Sequence, residues 1–383
     1  MVPFDLQCRT RIIFGAGTVL RIGELAGEIG TRRALVVSDP GIIAAGHTQR
    51  AIDALVAAGI ETQVFDGVHE NPSTDDVAAG VAMARRYEPE LIVGLGGGSS
   101  MDCAKGINFI YTNGGEMKDY WGVGKALKPM LPMIAVPTTS GTGSEAQSFA
   151  LISDSKTHVK MACGDKKASF RFAILDPELT LTQPQIVTAL TGIDAISHAL
   201  ETYVTKKRNA ASQAFSREAW RLLAANFGSV LDNPSNIEAR SAMQLGACFA
   251  GMAIENSMLG AAHAMANPLT ANYGIAHGQA IGLTLPTVIR FNGEEFESSY
   301  AELIRAAAGE TGMPDLDGTP ESLAQYVTEL VAKAGLSTKL SEQNVERAKL
   351  PQLAAEASKQ WTGTFNPREV DAATLQSLYE AAF

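Results

Sequence analysis

Cysteine is scarce in this chain: 383 residues contain four, Cys8, Cys103, Cys163 and Cys248, with no CxxC pair among them. That spacing indicates neither a zinc knuckle nor a disulfide framework, and sparse, unpaired thiols suit a reducing cytoplasm. Charge is also low, at 19% of residues against about 25% in an average domain. Apolar residues make up 46%, the reverse of the balance that keeps a chain disordered. Basic excess is missing as well. The formal net charge is -10, and clusters such as Lys166-Lys167 and Lys206-Lys207-Arg208 stand isolated. Duplex binding draws its affinity from neutralised phosphates, so no nucleic-acid partner is expected. No apolar run approaches the ~20 residues of a membrane span. The opening Met1-Val-Pro-Phe-Asp-Leu6 has no basic segment leading into an apolar stretch, so no signal peptide is read there. The expectation is a cytoplasmic chain with no membrane partner.

What the chain does have is alternation, then helix. At roughly 150 residues per domain the length suggests two domains. Arg33–Ser38, Glu61–Phe65, Leu91–Leu95, Met133–Val136 and the stretch Ile174-Leu-Asp-Pro177 read as short strands with turns, and Val77–Tyr87 reads as an intervening helix. Asp39-Pro40-Gly41 reads as a turn cluster. Strands alternating with helices argue for a parallel sheet covered on both faces. After Pro184 the pattern turns helical, as in Ile193, Ile196, Leu200 and Tyr203. The expected organisation is an α/β domain over residues 1–182 and an all-helical domain over residues 183–383, with Gly312–Thr319 as an inter-helix loop.

Glycine is concentrated where chemistry is expected. Gly96-Gly97-Gly98-Ser99-Ser100-Met101-Asp102 follows a strand and opens a helix. Glycines let backbone approach a ligand, and a helix N-terminus favours a phosphate. The run is neither a Walker A loop nor GxGxxG in its usual register. A tight turn capped by Ser100 or Asp102 is the competing reading. A second polar loop, Pro137-Thr138-Thr139-Ser140-Gly141-Thr142-Gly143-Ser144-Glu145, also follows a strand, where open α/β sheets bind ligands. Asp39 ends another strand. It suits either the ribose of NAD or an ordinary turn before Pro40.

Six histidines are present, and His47, His69 and His158 read as surface or loop residues. Asp194 and His198 share a helix face at i, i+4 spacing. His263 and His277 follow in apolar surroundings, so all three of these imidazoles are expected to be buried. One carboxylate and three imidazoles make a four-donor set for a divalent first-row metal such as Fe(II) or Zn. Alone, an Asp–His pair on a helix is common and weak.

Taken in order, Phe14-Gly-Ala-Gly17, Asp66-Gly-Val-His-Glu-Asn71-Pro72, Gly96–Asp102, Pro137–Glu145, Gly192–His198, His263–His277 and Asn366-Pro367-Arg368 resemble the iron-containing (group III) alcohol dehydrogenases over essentially the whole chain. The resemblance implies a Rossmann-like dinucleotide-binding parallel-sheet domain plus an all-α metal-binding domain, the architecture shared with dehydroquinate synthase. It implies hydride transfer between NAD(H), preferred over NADP(H), and a small to medium alcohol or aldehyde. The metal ligands fall on Asp194, His198, His263 and His277. The cofactor contacts fall on Asp39, Gly97, Gly98, Ser99, Asp102, Thr138, Thr139, Thr142 and Lys160. Phe149 and Ile254 fall on the substrate-pocket wall, and a homodimer or higher homo-oligomer is implied.

One position departs from the pattern. Many relatives carry a second histidine four residues after the third ligand, and here that residue is Asn267. An amide hydrogen-bonds but does not titrate, so the substrate or the proton route is expected to differ; Asn267 also suits a helix cap before Pro268. The alternatives are a metal-dependent lyase or cyclase of the dehydroquinate-synthase type and a non-catalytic relative. The first lacks the Lys/Arg-rich motif it would need around the ligands, and intact ligand and loop motifs count against the second.

Overall fold

The structure is a computed structural model and describes residues 2–383. Two compact units are present. An α/β unit holds Gln7–Thr139 and Ser144–Gln183; a helical unit holds residues 2–6, Ser140–Gly143 and Pro184–Phe383.

Nine strands lie in the α/β unit: β1 (Arg11–Phe14), β2 (Arg33–Val37), β3 (Glu61–Phe65), β4 (Leu91–Gly96), β5 (Gly122–Val123), β6 (Met133–Pro137), β7 (Phe149–Ser153), β8 (Lys160–Gly164) and β9 (Phe172–Leu175). Six form one parallel sheet in the order β1-β9-β6-β4-β2-β3. Its helices are α1 (Ile22–Ile29), α2 (Pro40–Ala44), α3 (His47–Ala57), α4 (Thr74–Tyr87) and α5 (Gly98–Asn113). Strand side chains alternate between faces. Ala34, Val36, Leu91, Val93, Leu95, Ile134 and Val136 pack with α1 and α3 in one apolar layer. The alternate positions face the layer of α5. Strand order reverses between β2, which leads outward to β3, and β4, which leads the other way to β6. Such a switch point opens a crevice at the carboxyl ends of the two strands.

Three local expectations need correction. Asp39-Pro40-Gly41 is not a free turn: Asp39 caps α2, accepting from the Ile42 N–H at 3.1 Å, with Pro40 as the first helical residue, a position that tolerates its missing N–H. A second sheet, β5-β8-β7, was not expected, because its short, partly exposed strands lack a clean alternation. His47 is buried, with 7% exposure. Its Nε2 lies 2.6 Å from Thr182 Oγ1, a partner that local pattern cannot reveal.

In the helical unit run α6 (Gln185–Val204), α7 (Ala210–Asp232), α8 (Ile237–Glu255), α9 (Ala261–Tyr273), α10 (His277–Ala307), α11 (Pro320–Lys333), α12 (Leu350–Ala357) and α13 (Ala372–Ala381). Trp220 and Phe227 of α7, Tyr300 of α10 and Tyr379 of α13 are buried in their common core. Residues 312–319 lie within the loop of residues 308–319 between α10 and α11.

Within the α/β unit, Lys105 of α5 has no exposure at all. Its ammonium donates to the Ser144 carbonyl and hydroxyl at 2.8 Å and to the Phe149 carbonyl at 2.7 Å. It also lies 3.7 Å from Asp102 Oδ1, which accepts from the Ser144 hydroxyl at 2.6 Å. Burial pushes the Asp102 carboxyl up, against the pull of Lys105 and Ser144. Removing one partner of a buried ion pair typically costs about 3–5 kcal/mol. Lys105→Met is therefore expected to lower the unfolding free energy from urea titration by an amount of that order, and an unchanged midpoint would contradict this account of the pair.

Candidate active site

From Gly192 to Val204, α6 is buried on every side. A helix with no solvent face is ordinarily apolar all round. Yet α6 presents Asp194, His198 and Glu201 at spacings that place them on one face. Asp194 Oδ1 is the common point of a cluster. His198 Nε2 lies 3.2 Å from it, His263 Nε2 of α9 3.5 Å, and His277 Nε2 at the start of α10 3.6 Å. The donor atoms of Asp194, His263 and His277 all lie within 4.8 Å of one another, and the His198 and His263 rings stack with centroids 5.0 Å apart. His277 arrives there because α10 begins pressed against α6: a Cβ on Gly278 would stand 2.1 Å from the Leu190 carbonyl oxygen. Its side chain keeps 34% exposure, so it is not buried as expected; the first residue of a helix has no preceding turn to cover it.

Among the described residues, Asp194 Oδ1, His198 Nδ1 and His263 Nε2 are buried without a hydrogen bond of proper geometry. Unsatisfied buried polar atoms are rare in native proteins and call for an explanation. One carboxylate oxygen and imidazole nitrogens converging on a small volume match the donors and number of a divalent first-row metal site.

Burial alone pushes the Asp194 carboxyl up, but the surrounding imidazoles, His198 foremost, hold it well below the usual carboxylate range. Burial likewise pushes His263 down, and the Glu201 and Asp194 carboxylates override it, raising the imidazole to about 9. Glu201, with 4% exposure, has an oxygen 2.5 Å from His263 Nδ1. It was not among the residues expected from sequence; its signal was an acid three residues after His198 on a helix with no exposed face.

The α/β unit places a second group at the β2/β4 switch point. Gly96 has φ +145, and a Cβ there would stand 2.4 Å from Ser100 Oγ, so glycine is required. Gly97 caps α5 with no side chain, which rules out Ser100 or Asp102 as the cap. Bare glycine at a helix start suits a pyrophosphate. Ser100 donates to Asp39 Oδ2 at 3.2 Å. Ser99 Oγ accepts from the Asn71 N–H at 3.2 Å, and Asn71 Oδ1 accepts from Lys160 Nζ at 2.8 Å. Thr138 donates its N–H to the Gly96 carbonyl at 3.0 Å, while its hydroxyl is buried with no partner among the described residues. The Thr139 methyl lies 3.4 Å from where a Gly97 Cβ would be. Asp39, Gly97, Gly98, Ser99, Thr138, Thr139 and Lys160 thus gather at the strand ends, joined by Asn71, which sequence alone marked only as part of a longer motif. Asp102 does not join them; it is held inside α5 by Ser144 and Lys105. Thr142 belongs to the Ser140–Gly143 segment of the helical unit.

Two family models cover nearly the whole chain: "Iron-containing alcohol dehydrogenase" matches residues 9–177, and "Fe-containing alcohol dehydrogenase family, C-terminal" matches residues 188–383. The chain belongs to the iron-containing alcohol dehydrogenase family. It is 34% identical to 1,3-propanediol dehydrogenase of Klebsiella pneumoniae over 99% of both chains. Its fold matches a solved 1,3-propanediol oxidoreductase with a TM-score of 0.94, at 33% identity and complete coverage of both chains. It also matches a sulfoacetaldehyde reductase from Bifidobacterium kashiwanohense in complex with NAD+, with a TM-score of 0.90, 28% identity and coverage of 100% and 99%. The expected fold class, a Rossmann-like parallel-sheet half and a helical half, is the one found. Membership places the chain among oxidoreductases of the alcohol dehydrogenase class. The lyase and non-catalytic alternatives gain no support.

Against the pattern that the sequence resemblance supplied for this iron-containing alcohol dehydrogenase family, Asn267 sits one turn after His263 and donates to Gln360 Oε1 at 3.0 Å. It does not cap a helix end, because α9 runs through Pro268 to Tyr273. A single interior proline removes one backbone bond, and the buried Ala264, Met265 and Leu269 hold the helix together around it. Phe149 opens β7 of the α/β unit, and Ile254 lies near the end of α8 in the helical unit.

In chelator, the folded-state value of about 9 for His263 lies above the ~6.5 of a free imidazole. Stability from its protonated form is then complete below about pH 6.5 and is lost as pH rises through the folded value. A histidine NMR titration in chelator is expected to show one imidazole titrating near 9; finding every histidine at ordinary values would refute this electrostatic picture.

Proposed function

We propose that the chain catalyses reversible hydride transfer between NAD(H) and a small to medium alcohol or aldehyde, using a divalent metal held by Asp194, His198, His263 and His277. The observation that carries this reading is the cluster itself: three imidazole Nε2 atoms 3.2–3.6 Å from one buried carboxylate oxygen. A metal bound there supplies Lewis-acid polarisation of a substrate oxygen. NAD(H) supplies or accepts the hydride, while the protein supplies position and charge. Fe(II) is the proposed ion and Zn the rival that the same donors accept.

The residues of the chain divide the remaining work. The backbone N–H groups at Gly97, Gly98 and Ser99 hold the pyrophosphate. Asp39 accepts from the ribose hydroxyls and repels the additional phosphate of NADP(H). Thr138, Thr139 and Thr142 offer hydroxyls, and Lys160, steadied by Asn71, offers a cation. Asp102 fixes this wall from inside through Ser144. Phe149 and Ile254 supply apolar substrate contact, which favours unbranched alcohols over polyols. Asn267 hydrogen-bonds to substrate without exchanging a proton, so proton traffic uses another route. The names of the related proteins, 1,3-propanediol dehydrogenase and sulfoacetaldehyde reductase, support a small substrate, and the NAD+ complex supports the cofactor.

The proposal extends to a cytoplasmic homodimer or larger homo-oligomer. Free cysteines, three of them buried, are at home in a reducing compartment. Val2, Phe4 and Leu6 are exposed, at 60%, 50% and 39%, apolar side chains that a second copy would cover.

Loaded anaerobically with Fe(II), the protein is expected to consume NADH with an aldehyde panel, and chelator is expected to stop it. Metal-independent turnover would overturn the reading. His263→Ala should lose bound metal, by elemental analysis, together with activity, while its far-UV circular dichroism is retained. Asp39→Gly should raise kcat/KM for NADPH relative to NADH by about tenfold or more, the ~1.4 kcal/mol expected of one like-charge contact; an unchanged ratio would remove Asp39 from the cofactor site.

A further inference from the structure

We infer that Glu201 is a positioning residue for the metal cluster, fixing His263 in the tautomer that presents Nε2 to the ion. The inference rests on the reading of Asp194 and its imidazoles as a metal site. The two carboxylate oxygens of Glu201 do different things. One accepts from the Ala262 N–H at 2.8 Å; the other lies 2.5 Å from His263 Nδ1. A carboxylate only accepts, so Glu201 holds a proton on Nδ1, and when an ion occupies the site the Nε2 lone pair, on the side of Asp194 Oδ1, is the one left to ligate it. A second hydrogen bond to the far nitrogen of a metal-binding imidazole fixes its orientation and raises its basicity.

The start of α9 is built to deliver His263 to Glu201. The N-cap is Gly260, which has no side chain to offer, and the first-turn N–H groups are taken by side chains from elsewhere. Ala261 donates to Asn366 Oδ1 at 3.2 Å, and Ala262 donates to Glu201. Asn366 is locked in turn by Asn292 of α10, in paired amide contacts of 2.8 and 3.1 Å. Both asparagines have 1% exposure. This gives a task to the Asn366-Pro367-Arg368 motif that the metal and cofactor assignments leave unused: it holds the helix end on which His263 sits.

Glu201→Gln tests the idea. Glutamine keeps one acceptor oxygen where Glu201 uses two, so Ala262 N–H and His263 Nδ1–H cannot both be satisfied. An amide NH2 turned toward Nδ1 moves the imidazole proton to Nε2. The full-length protein is titrated with Zn(II) against a chromophoric chelator. Wild type is expected to bind Zn(II), and Glu201→Gln to bind it about 10- to 100-fold more weakly, with far-UV circular dichroism and NADH affinity unchanged. Glu201→Asp, which keeps both acceptor oxygens, should recover part of the loss. Equal Zn(II) affinity in wild type and Glu201→Gln overturns the role of Glu201 and leaves the metal reading standing. A wild type that binds no Zn(II), Co(II) or Fe(II) overturns the metal reading and this inference with it. If Glu201→Gln does not fold, the Zn(II)-loaded wild type decides by 15N-histidine NMR. A ligated Nε2 with an exchange-protected proton on Nδ1 supports the inference; a proton on Nε2 with Nδ1 ligated overturns it.

Discussion

A carboxylate can stay ionised inside a packed helical core only where cations or hydrogen-bond donors surround it. Asp194 imposes that condition on the helical unit, and the helices that answer it are the ones that carry function. The residue sits where α6 is buried on every side, so its partners must come from the same helix or from helices pressed against it. His198 comes from α6 itself, His263 from the start of α9 and His277 from the start of α10. A second acid, Glu201, then balances the imidazoles from behind. The result is carboxylates and imidazoles interleaved in a small volume, in which the Asp194 carboxyl is held low and the His263 imidazole raised by their neighbours. Proteins keep such arrangements where a site needs them, since an apolar core of the same volume would be at least as stable.

The α/β unit follows a different constraint. A parallel sheet buried on both faces has no freedom at its strands, so recognition falls to the loops at their carboxyl ends. Gly96, with its positive φ, turns the chain sharply off β4 and directs the start of α5 toward the crevice. Asp39 serves two ends at once, with one oxygen on the α2 backbone and the other on Ser100. The fully buried Lys105 braces the wall through Ser144 and the Phe149 carbonyl. That is an uncommon use for an ammonium, justified by three short bonds in a place water does not reach.

How far the sequence could be read followed the range of the forces involved. The strands β2, β4, β6 and β9 were legible because burial on both faces writes an apolar run, β3 because Asp66-Gly67 ends it, and the helical half because its period is regular. Asp194 and His198 were linked by helix spacing alone, whereas joining His263 and His277 to them took a family pattern. Long-range partners were not legible. Nothing near His47 announces Thr182, nothing near Asn71 announces Ser99 or Lys160, and Asp102 read as a helix cap or a cofactor contact although its partner is Ser144. The β7–β8 hairpin was missed for another reason: strands with one side partly exposed and only five residues each leave no periodic trace. Asn267 misled because a following proline usually marks a helix end, and here tertiary packing carries α9 past it.

The order of the cluster along the chain has a consequence for synthesis. Chains emerge from the ribosome N-terminus first, and domains tend to fold as units as they appear. The nucleotide-side half is complete before any member of the Asp194 cluster is made. Asp194, His198 and Glu201 then emerge together on α6, while His263 and His277 follow only after α7 and α8. During that interval the acids and imidazole of α6 lack His263 and His277, although α7 and α8, which pack against α6, are already made. Only when the starts of α9 and α10 arrive does a complete set of donors exist to capture an ion.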